Sequence, residues 1–320
     1  GRDILGSAQT GTGKTASFTL PMIDILASGR AKARLPRSLI LAPTRELAAQ
    51  VAESFENFSS YHKLSMALLI GGVSFADQNA ALSKGVDVLI ATPGRLLDHF
   101  ERGKVLLNDV KILVIDEADR MLDMGFIPDV ERIAGLLPRM RQTLFFSATL
   151  SDDIQKLGSK FVMNPKIIEI APPATTADTV AQHLIWTDAK SKRRVLRDIL
   201  RHESVKNAVV FCNRKRDISI LVKSLTTHGF SVVALHGDMT QSARLEALQR
   251  FKDGEVPLMI ASDVAARGLD IAGLSHVFNF DVPNHAEDYV HRIGRTGRAG
   301  KSGRAFTIAA SKDDHKYIGF

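Results

Sequence analysis

The stretch AQTGTGKT, residues 8–15, has the residue types of a phosphate-binding loop. Its glycines would let backbone N–H groups turn inward around phosphate oxygens, and a helix starting after the loop would add partial positive charge. Lys14 would reach the β and γ phosphates, and Thr15 would hold Mg²⁺. The predicted nucleotide-binding residues are therefore Ala8, Gln9, Thr10, Gly11, Thr12, Gly13, Lys14 and Thr15, with Ala8 standing where the strict pattern has glycine.

Two carboxylates, Asp116 and Glu117, directly follow the apolar run 112–115. Ligands of α/β sheets bind at the carboxyl ends of the strands, so both side chains are candidates for chemistry. Asp116 would bind Mg²⁺ through its water shell, and Glu117 would orient or deprotonate an attacking water. An acidic helix start is the alternative, since Asp and Glu favour that position. Lys14 upstream in the same domain favours the catalytic interpretation.

The segment Ser147-Ala148-Thr149 ends another strand-like run, 144–146. Its two hydroxyls would lie beside the acidic pair if neighbouring strands end at one edge. Taken alone, three such residues are more often a helix cap.

Near the other end of the chain, HRIGRTGR at 291–298 places Arg295 and Arg298 about one turn apart. They would face a γ phosphate across an interdomain cleft as arginine fingers, which accelerate hydrolysis by about 10³–10⁵-fold. A basic surface loop is the default alternative. Fingers on a second domain would couple hydrolysis to domain closure.

These motifs need a scaffold, and short apolar runs alternate with helix-period segments through most of the chain. Continuous β-branched runs separated by helices predict an α/β fold with parallel strands covered on both faces. This alternation is interrupted at residues 171–178, a Pro- and Thr-rich stretch that is predicted to be the interdomain linker. The prediction is two tandem domains, residues 1–170 and 179–320, each a mainly parallel sheet with helices.

Length and composition agree with this organisation. The 320 residues are enough for two domains, and no apolar run approaches the roughly 20 residues of a membrane helix. The formal net charge of +7 permits a polyanionic partner. Cys212, the single cysteine, cannot form an intrachain disulfide, and a buried thiol in a reducing compartment is expected.

The motifs together resemble the DEAD-box RNA helicases, in order and approximate spacing over essentially the whole chain. The sequence that follows the DEAD segment is most similar to that of the bacterial RhlE type. The resemblance rests on AQTGTGKT (8–15), PTREL (43–47), GG (71–72), TPGR (92–95), DEAD (116–119), SAT (147–149), HGD (236–238), QSAR (241–244), ASDVAARGLD (261–270) and HRIGRTGR (291–298).

The resemblance implies two RecA-like domains that bind ATP and Mg²⁺ on one side and RNA on the other. Asp270 would approach the ribose of ATP, while Asp119, Ser147, Thr149 and His291 would couple the domains. The implied RNA-binding residues are Thr44, Arg45, Gly72, Thr92, Pro93, Arg95, Gly237, Gln241, Arg244, Ser262 and Asp263.

Some of these residues have structural alternatives. Thr44 and Thr92 flank prolines, as turn formers commonly do, and Gln241 would also suit a helix start. Ser262 stands where the family usually has threonine, and its hydroxyl is expected to serve equally.

We expect the chain to be a fragment, because GRDIL directly precedes the phosphate loop and IGF ends a segment that is expected to be a helix. The family's Q motif, which recognises adenine, would lie upstream. Weak ATP binding with poor discrimination against GTP is therefore expected. The resemblance further implies a monomeric cytoplasmic protein without a membrane partner that binds RNA without sequence preference, with ribosome-assembly or RNA-degradation factors as candidate partners.

The expected activity is ATP-dependent local unwinding of short RNA duplexes or remodelling of RNA–protein complexes. An RNA clamp that does not unwind would use the same motifs, and persistent complexes would distinguish it. A DNA translocase shares the two-domain plan and would respond equally to DNA. A P-loop kinase is disfavoured by the distant arginines but would transfer phosphate to a hydroxyl acceptor.

Overall fold

The protein is represented by a computed structural model. The structure describes residues 1–8, 12–29, 35–148, 150–170, 179–266, 271, 273–284, 286–297, 302–310, 314 and 318. The chain divides into two compact units, Gly1–Pro172 and Pro173–Phe320. Across those described positions, none of the helices has the length and apolar character needed to cross a membrane. The predicted linker at 171–178 lies outside the described residues.

The first unit is a parallel sheet with helices on both faces. Its strands are β1 (Ile4–Ser7), β2 (Ser38–Leu41), β3 (Met66–Leu69), β4 (Val88–Ala91), β5 (Ile112–Ile115), β6 (Gln142–Ser147) and β7 (Lys166–Glu169). Its helices are α1 (Lys14–Ala27), α2 (Arg45–Phe58), α3 (Phe75–Ser83), α4 (Pro93–Glu101), α5 (Ala118–Asp123), α6 (Ile127–Leu136) and α7 (Asp152–Gly158).

The strands of this unit lie in the order β3-β4-β2-β5-β6-β1-β7, and every described pair is parallel. All four residues of β2, β4 and β5 are buried, as expected for strands covered on both faces. Two apolar clusters cover the two faces, one around Phe145 and the other around Phe18 and Phe146. The core therefore fixes the positions of the strand ends relative to one another.

The second unit repeats this architecture. Its strands are β8 (Val180–Trp186), β9 (Ala208–Phe211), β10 (Val232–Leu235), β11 (Leu258–Ala261), β12 (His276–Asn279) and β13 (Gly303–Ala309). Its helices are α8 (Lys192–His202), α9 (Lys215–Thr227), α10 (Gln241–Lys252), α11 (Asp263–Ala266) and α12 (Ala286–Ile293). The described strands are all parallel in the order β10-β11-β9-β12-β13-β8. The α/β prediction is confirmed for both units.

Two local features differ from the sequence predictions. The helix-period segment that starts at Ala118 forms two helices, because Gly125 adopts a left-handed φ of 72° that ends α5 and lets α6 start after it. The edge strands β3, β7 and β8 were not predicted, and none of them has the continuous buried run of the central strands. Cys212 is a free, buried thiol, and burial raises its pKa strongly.

Gly6 in β1 allows Phe146 to pack directly on the strand that leads into the phosphate loop. A Cβ at Gly6 would lie 2.7 Å from two ring carbons of Phe146. Phe146 is itself buried against Phe18 of α1, with ring centroids 5.6 Å apart. The ring therefore has little freedom to move.

Gly6→Ala is expected to destabilise the first unit by about 1–3 kcal/mol through overpacking. Hydrogen exchange of β1 and β6 peptides, together with calorimetric unfolding, measures the change. Gly135→Ala is the matched control, because a Cβ at Gly135 in α6 meets nothing within 4 Å. It should leave stability equal or slightly higher. Equal stability of Gly6→Ala and the unmodified protein would contradict the close packing.

Candidate nucleotide and nucleic-acid sites

An ion pair between Lys14 and Asp116 lies at the carboxyl edge of the first sheet. Lys14 is the first residue of α1, and Asp116 directly follows β5, two strands away from β1. The Lys14 Nζ lies 2.9 Å from the Asp116 Oδ1, and their side chains are 8% and 0% exposed. The structure thus brings the phosphate-loop lysine and the acidic segment together, 102 positions apart in the sequence (116 − 14).

Electrostatics keep this lysine charged. Burial acts to lower the pKa of Lys14, but the carboxylates of Asp116, Glu117 and Asp119 outweigh burial and raise it above its ordinary value. A buried ammonium group held in this way is a fixed positive charge in a low-dielectric setting, where it acts more strongly on a phosphate than it would in water.

The described part of the phosphate loop leaves the start of α1 open. Gly13 is the N-cap, with a left-handed φ of 85° and no side-chain cap. Uncapped N–H groups at a helix start form an anion site. Ala8 and Lys14 are buried, Thr15 is half-buried, and Thr12 is exposed. The predicted residues Gln9, Thr10 and Gly11 lie outside the described residues.

Glu117 adopts a conformation that is rare for its type. Its φ of 52° is left-handed, a strain that tends to persist at functional sites. Its backbone N–H donates to the Asp116 Oδ1 at 2.9 Å, and its Oε2 lies 3.4 Å from the Nη1 of Arg120. Sequence analysis missed the buried Arg120, although its i,i+3 spacing from Glu117 was a usable signal.

The Ser147-Ala148 segment is held between the acidic loop and the end of β1. The Ala148 N–H donates to the Asp119 Oδ2 at 3.4 Å, and the Ser7 hydroxyl donates to the Ala148 carbonyl at 3.2 Å. The Ala8 N–H donates to the Ser147 carbonyl at 3.1 Å. A shift of the acidic loop would therefore reach this segment directly. Thr149 lies outside the described residues.

Three buried oxygen atoms in this region have no hydrogen-bond partner among the described residues: Asp116 Oδ2, Asp119 Oδ1 and Ser147 Oγ. Buried polar atoms are normally satisfied, so such atoms indicate water, an ion or a ligand. Carboxylate and hydroxyl oxygens are the ligand types that suit Mg²⁺ and its water shell.

A cluster of arginines lies at the carboxyl ends of β2, β3 and β4. The guanidinium group of Arg45 packs on Gly71, where a Cβ would lie 3.1 Å from its Nη2. The Arg95 Nη1 donates to the Val73 carbonyl at 3.2 Å. Burial lowers the pKa of Arg95, opposed by Asp98, and the charges of Arg45 and Arg102 lower it further. An anion binding here would relieve that repulsion.

The other predicted RNA residues of this unit shape the same edge. Thr44 is the N-cap of α2, and its hydroxyl accepts from the Leu47 N–H at 3.4 Å. Thr92 is the N-cap of α4 without a side-chain bond, and Pro93 is the first helical residue. Gly72 has a left-handed φ of 76°. The hydroxyl of Thr44 thus caps a helix, which was the structural alternative to RNA binding. The backbone of Thr44 can still contact a ligand.

In the second unit, the loop after β10 and the start of α10 bring Gly237, Gln241 and Arg244 together. The N-cap is Thr240, whose hydroxyl accepts from the Ala243 N–H at 3.3 Å, so Gln241 is not needed as a cap. Gln241 is buried, and its amide has no hydrogen-bond partner among the described residues. The Arg244 Nη1 donates to the His236 carbonyl at 3.2 Å.

Asp263 is engaged by an arginine that sequence analysis left without a role. The Nε and Nη2 of Arg292 each lie 2.6 Å from an oxygen of the Asp263 carboxylate. Arg292 is 2% exposed and also donates to Asn213, Asn279 and the Asp281 carbonyl. The Asp263 side chain is therefore tied to HRIGRTGR, while the neighbouring Ser262 is buried at the end of β11.

The remaining predicted residues of the second unit are only partly described. His291 and Arg295 line a small cavity with Phe211 and Asp263, and Arg295 is 8% exposed. Asp270 and Arg298 lie outside the described residues.

Comparison with known proteins supports the resemblance over both units. Residues 1–157 match the family described as DEAD/DEAH box helicase, and residues 191–300 match the helicase conserved C-terminal domain. A similar protein is the ATP-dependent RNA helicase CshA of Listeria monocytogenes, 44% identical over 98% of this chain and 60% of the relative. Another is the ATP-dependent RNA helicase RhlB of Pseudomonas aeruginosa, 43% identical over 98% of this chain and 81% of the relative. The chain thus spans about three fifths of the Listeria protein's length.

Two solved structures have the same fold. Saccharomyces cerevisiae Dbp5 bound to RNA and ADP BeF3 matches with a TM-score of 0.84 at 30% identity, covering 99% of this chain and 82% of Dbp5. A DEAD box protein from Methanococcus jannaschii matches with a TM-score of 0.55 at 37% identity, covering all of this chain and 85% of its own. The tandem RecA-like prediction is confirmed, whereas the narrower RhlE likeness stays a prediction. With both helicase domains matched in order and relatives above 40% identity, the chain belongs to the DEAD-box family of RNA helicases.

Proposed function

We propose that this chain is an RNA-stimulated ATPase that unwinds short RNA duplexes locally or remodels RNA–protein complexes. The observation that carries the proposal is the shared edge of the first sheet. There the buried Lys14–Asp116 pair and the arginine cluster of Arg45 and Arg95 lie on neighbouring strand ends. A conformational change at the Lys14–Asp116 pair can therefore alter the arginine cluster, and a change at the cluster can alter the pair.

The nucleotide would be held by the backbone of residues 8–13, the open start of α1 and the Lys14 ammonium group. Thr15 and, through water, Asp116 would hold Mg²⁺. The Asp116 Oδ2, which has no hydrogen-bond partner among the residues that the structure describes, supports this assignment. When bound, Mg²⁺ neutralises phosphate charge. Asp270 would contact the ribose, and Arg295 and Arg298 would supply the arginine fingers.

Glu117 would orient and deprotonate the attacking water. Phosphoryl transfer needs positioning and charge neutralisation more than covalent help, and a carboxylate near Lys14 on a backbone with left-handed φ suits that task. A change in the conformation of the acidic loop would be transmitted through Asp119, Ser147 and Thr149. His291 would couple this change to the second domain. Within the described residues, the Asp119–Ala148 hydrogen bond is the contact that supports this coupling.

RNA would bind along Thr44, Arg45, Gly72, Thr92, Pro93 and Arg95 and continue over Gly237, Gln241, Arg244, Ser262 and Asp263. Backbone amides, hydroxyls and arginines contact phosphates and sugars without distinguishing bases, so binding would be independent of sequence. The 2′-hydroxyl is the available means of preferring RNA to DNA. The carboxylate of Asp263 is held by Arg292, so Asp263 would also fix the position of this segment.

ATP and RNA together would favour closure of two domains, 1–170 and 179–320, joined by the linker 171–178. Closure would bend one RNA strand, and hydrolysis would reopen the domains. Unstacking costs a few kcal/mol per base step, which limits unwinding to short duplexes. We further propose a monomeric cytoplasmic protein acting with ribosome-assembly or RNA-degradation factors.

The deciding experiment measures ATPase rate and strand separation of a short RNA duplex, with RNA and DNA compared. Stimulation by RNA with ATP-dependent unwinding supports the proposal, and Lys14→Ala should abolish both in a chain shown by circular dichroism to be folded. Equal stimulation by DNA would indicate a translocase. Long-lived RNA complexes with slow turnover would indicate a clamp. Phosphate transfer to a hydroxyl acceptor would indicate a kinase.

Glu117→Gln is expected to lower kcat by about 10²–10⁴-fold while leaving ATP affinity unchanged, because it removes the proton acceptor and keeps the shape. Single-turnover hydrolysis and equilibrium nucleotide binding measure the two effects. Glu131→Gln is the matched control, since Glu131 is exposed and pairs with Lys160. Normal turnover in Glu117→Gln would remove this residue as the water-activating group.

Arg95→Gln is expected to weaken single-stranded RNA binding for every sequence tested. If Arg95 neutralises one phosphate, the slope of log affinity against log salt concentration should become shallower by about 0.7. Fluorescence anisotropy at several salt concentrations measures this slope. Arg132→Gln, which removes an exposed arginine paired with Glu101, should leave the slope unchanged. An unchanged slope in Arg95→Gln would place Arg95 outside the phosphate contacts.

A further inference from the structure

The side chain of Gln78 in α3 makes two buried hydrogen bonds to two different elements. Its Nε2 donates to the carbonyl of Ile70 at 2.9 Å, and its Oε1 lies 2.9 Å from the Nε2 of His99. Gln78 is 4% exposed and His99 is fully buried. One amide group therefore links the end of β3 to α4.

Both linked elements carry candidate RNA-binding residues. Ile70 immediately precedes Gly71 and Gly72, and Gly71 supports the guanidinium group of Arg45. His99 lies one helical turn after Arg95 on α4, so the two side chains share a face of that helix. The Gln78 bridge thus joins the segment on which Arg45 packs to the helix that carries Arg95.

The Nε2 of His99 carries the proton that this bridge requires. The Gln78 Oε1 accepts a hydrogen bond, so the His99 Nε2 must carry a proton. Burial lowers the pKa of His99, and the nearby Arg95 lowers it further, so the ring is neutral. Its Nδ1 has no hydrogen-bond partner among the described residues, so the ring is oriented by its hydrogen bond to Gln78 together with its packing on Phe75.

Phe75 extends the support to the arginines themselves. Its ring lies 4.9 Å from the His99 ring, between the guanidinium carbons of Arg95 and Arg102, each 4.1 Å from its centroid. Arginine over an aromatic face is attracted by the ring's quadrupole. Arg95, which also donates to the Val73 carbonyl, is therefore supported by a stack that begins at the Gln78–His99 hydrogen bond.

We propose that Gln78 is a positioning residue for RNA binding, which through His99 fixes the spacing between the Gly71–Gly72 segment and Arg95. The inference rests on the proposed RNA-dependent function. Groups that contact successive phosphates bind well only if their separation is set before binding. Glutamine suits the task because it donates and accepts at once, whereas ionised glutamate only accepts and leucine does neither.

The test uses Gln78→Leu, His99→Leu and the double variant in the full chain. Each single change should raise the RNA concentration for half-maximal ATPase stimulation about tenfold, the effect of breaking one buried hydrogen-bonded link. The ATP KM and kcat at saturating RNA should stay unchanged. The double variant should be no worse than either single one, because the link is already broken.

A matched control separates positioning from general stability. Asp87 makes a comparable buried link at the opposite edge of the same sheet, accepting from the Arg37 Nη2 at 2.6 Å and the Ser65 N–H at 3.0 Å. Asp87→Asn should lower the unfolding temperature without changing RNA half-saturation. His99→Gln, which keeps an N–H donor at similar reach, should resemble the unmodified protein more than His99→Leu does.

The proposal is overturned if Gln78→Leu and His99→Leu change RNA half-saturation no more than Asp87→Asn does. If Gln78→Leu fails to fold, Gln78→Met decides by the same measurement, because methionine has a similar length but lacks both the N–H donor to Ile70 and the amide oxygen that accepts from His99. Absence of RNA stimulation in the unmodified chain would instead remove the proposed function, and the positioning role with it.

Discussion

The buried ion pair of Lys14 and Asp116 is the contact on which the first unit's chemistry depends. Taking two charges out of water costs free energy, and a well-packed apolar pair would often be at least as stable. The pair also fixes the start of α1 against the end of β5. Its cost is understandable if the charges serve a ligand that brings its own charge.

The sheet explains why so many polar groups can share one edge. Parallel strands end side by side, and each central strand is buried on both faces. The first residues that can contact a ligand therefore lie in the loop after the carboxyl end of each strand. In the first unit these ends carry Lys14, Thr44, Thr92, Asp116 and Ser147. Two of the buried oxygens there, Asp116 Oδ2 and Ser147 Oγ, have no hydrogen-bond partner within the described part of the chain, which favours a ligand or water at this edge.

A second group of residues supports this edge without having motif character. Gln78, His99 and Phe75 hold the arginine cluster in the first unit, and Arg292 holds Asp263 in the second. Each is a side chain that could be mistaken for ordinary packing. Their hydrogen bonds join loops that lie far apart in sequence, so their role is visible only when those loops are seen together.

The sequence by itself determined the fold class, most central strands and the identity of the motif residues, because continuous apolar runs and glycine-lysine spacing are local signals. It missed the edge strands β3, β7 and β8, which lack a continuous buried run, and the break at Gly125. Only the tertiary structure decided that Lys14 meets Asp116, that Arg292 rather than solvent holds Asp263, and that Gln78 bridges Ile70 and His99. The reason is physical: these contacts depend on strand order and on which side chains share a buried space, and neither is encoded in the spacing of neighbouring residues.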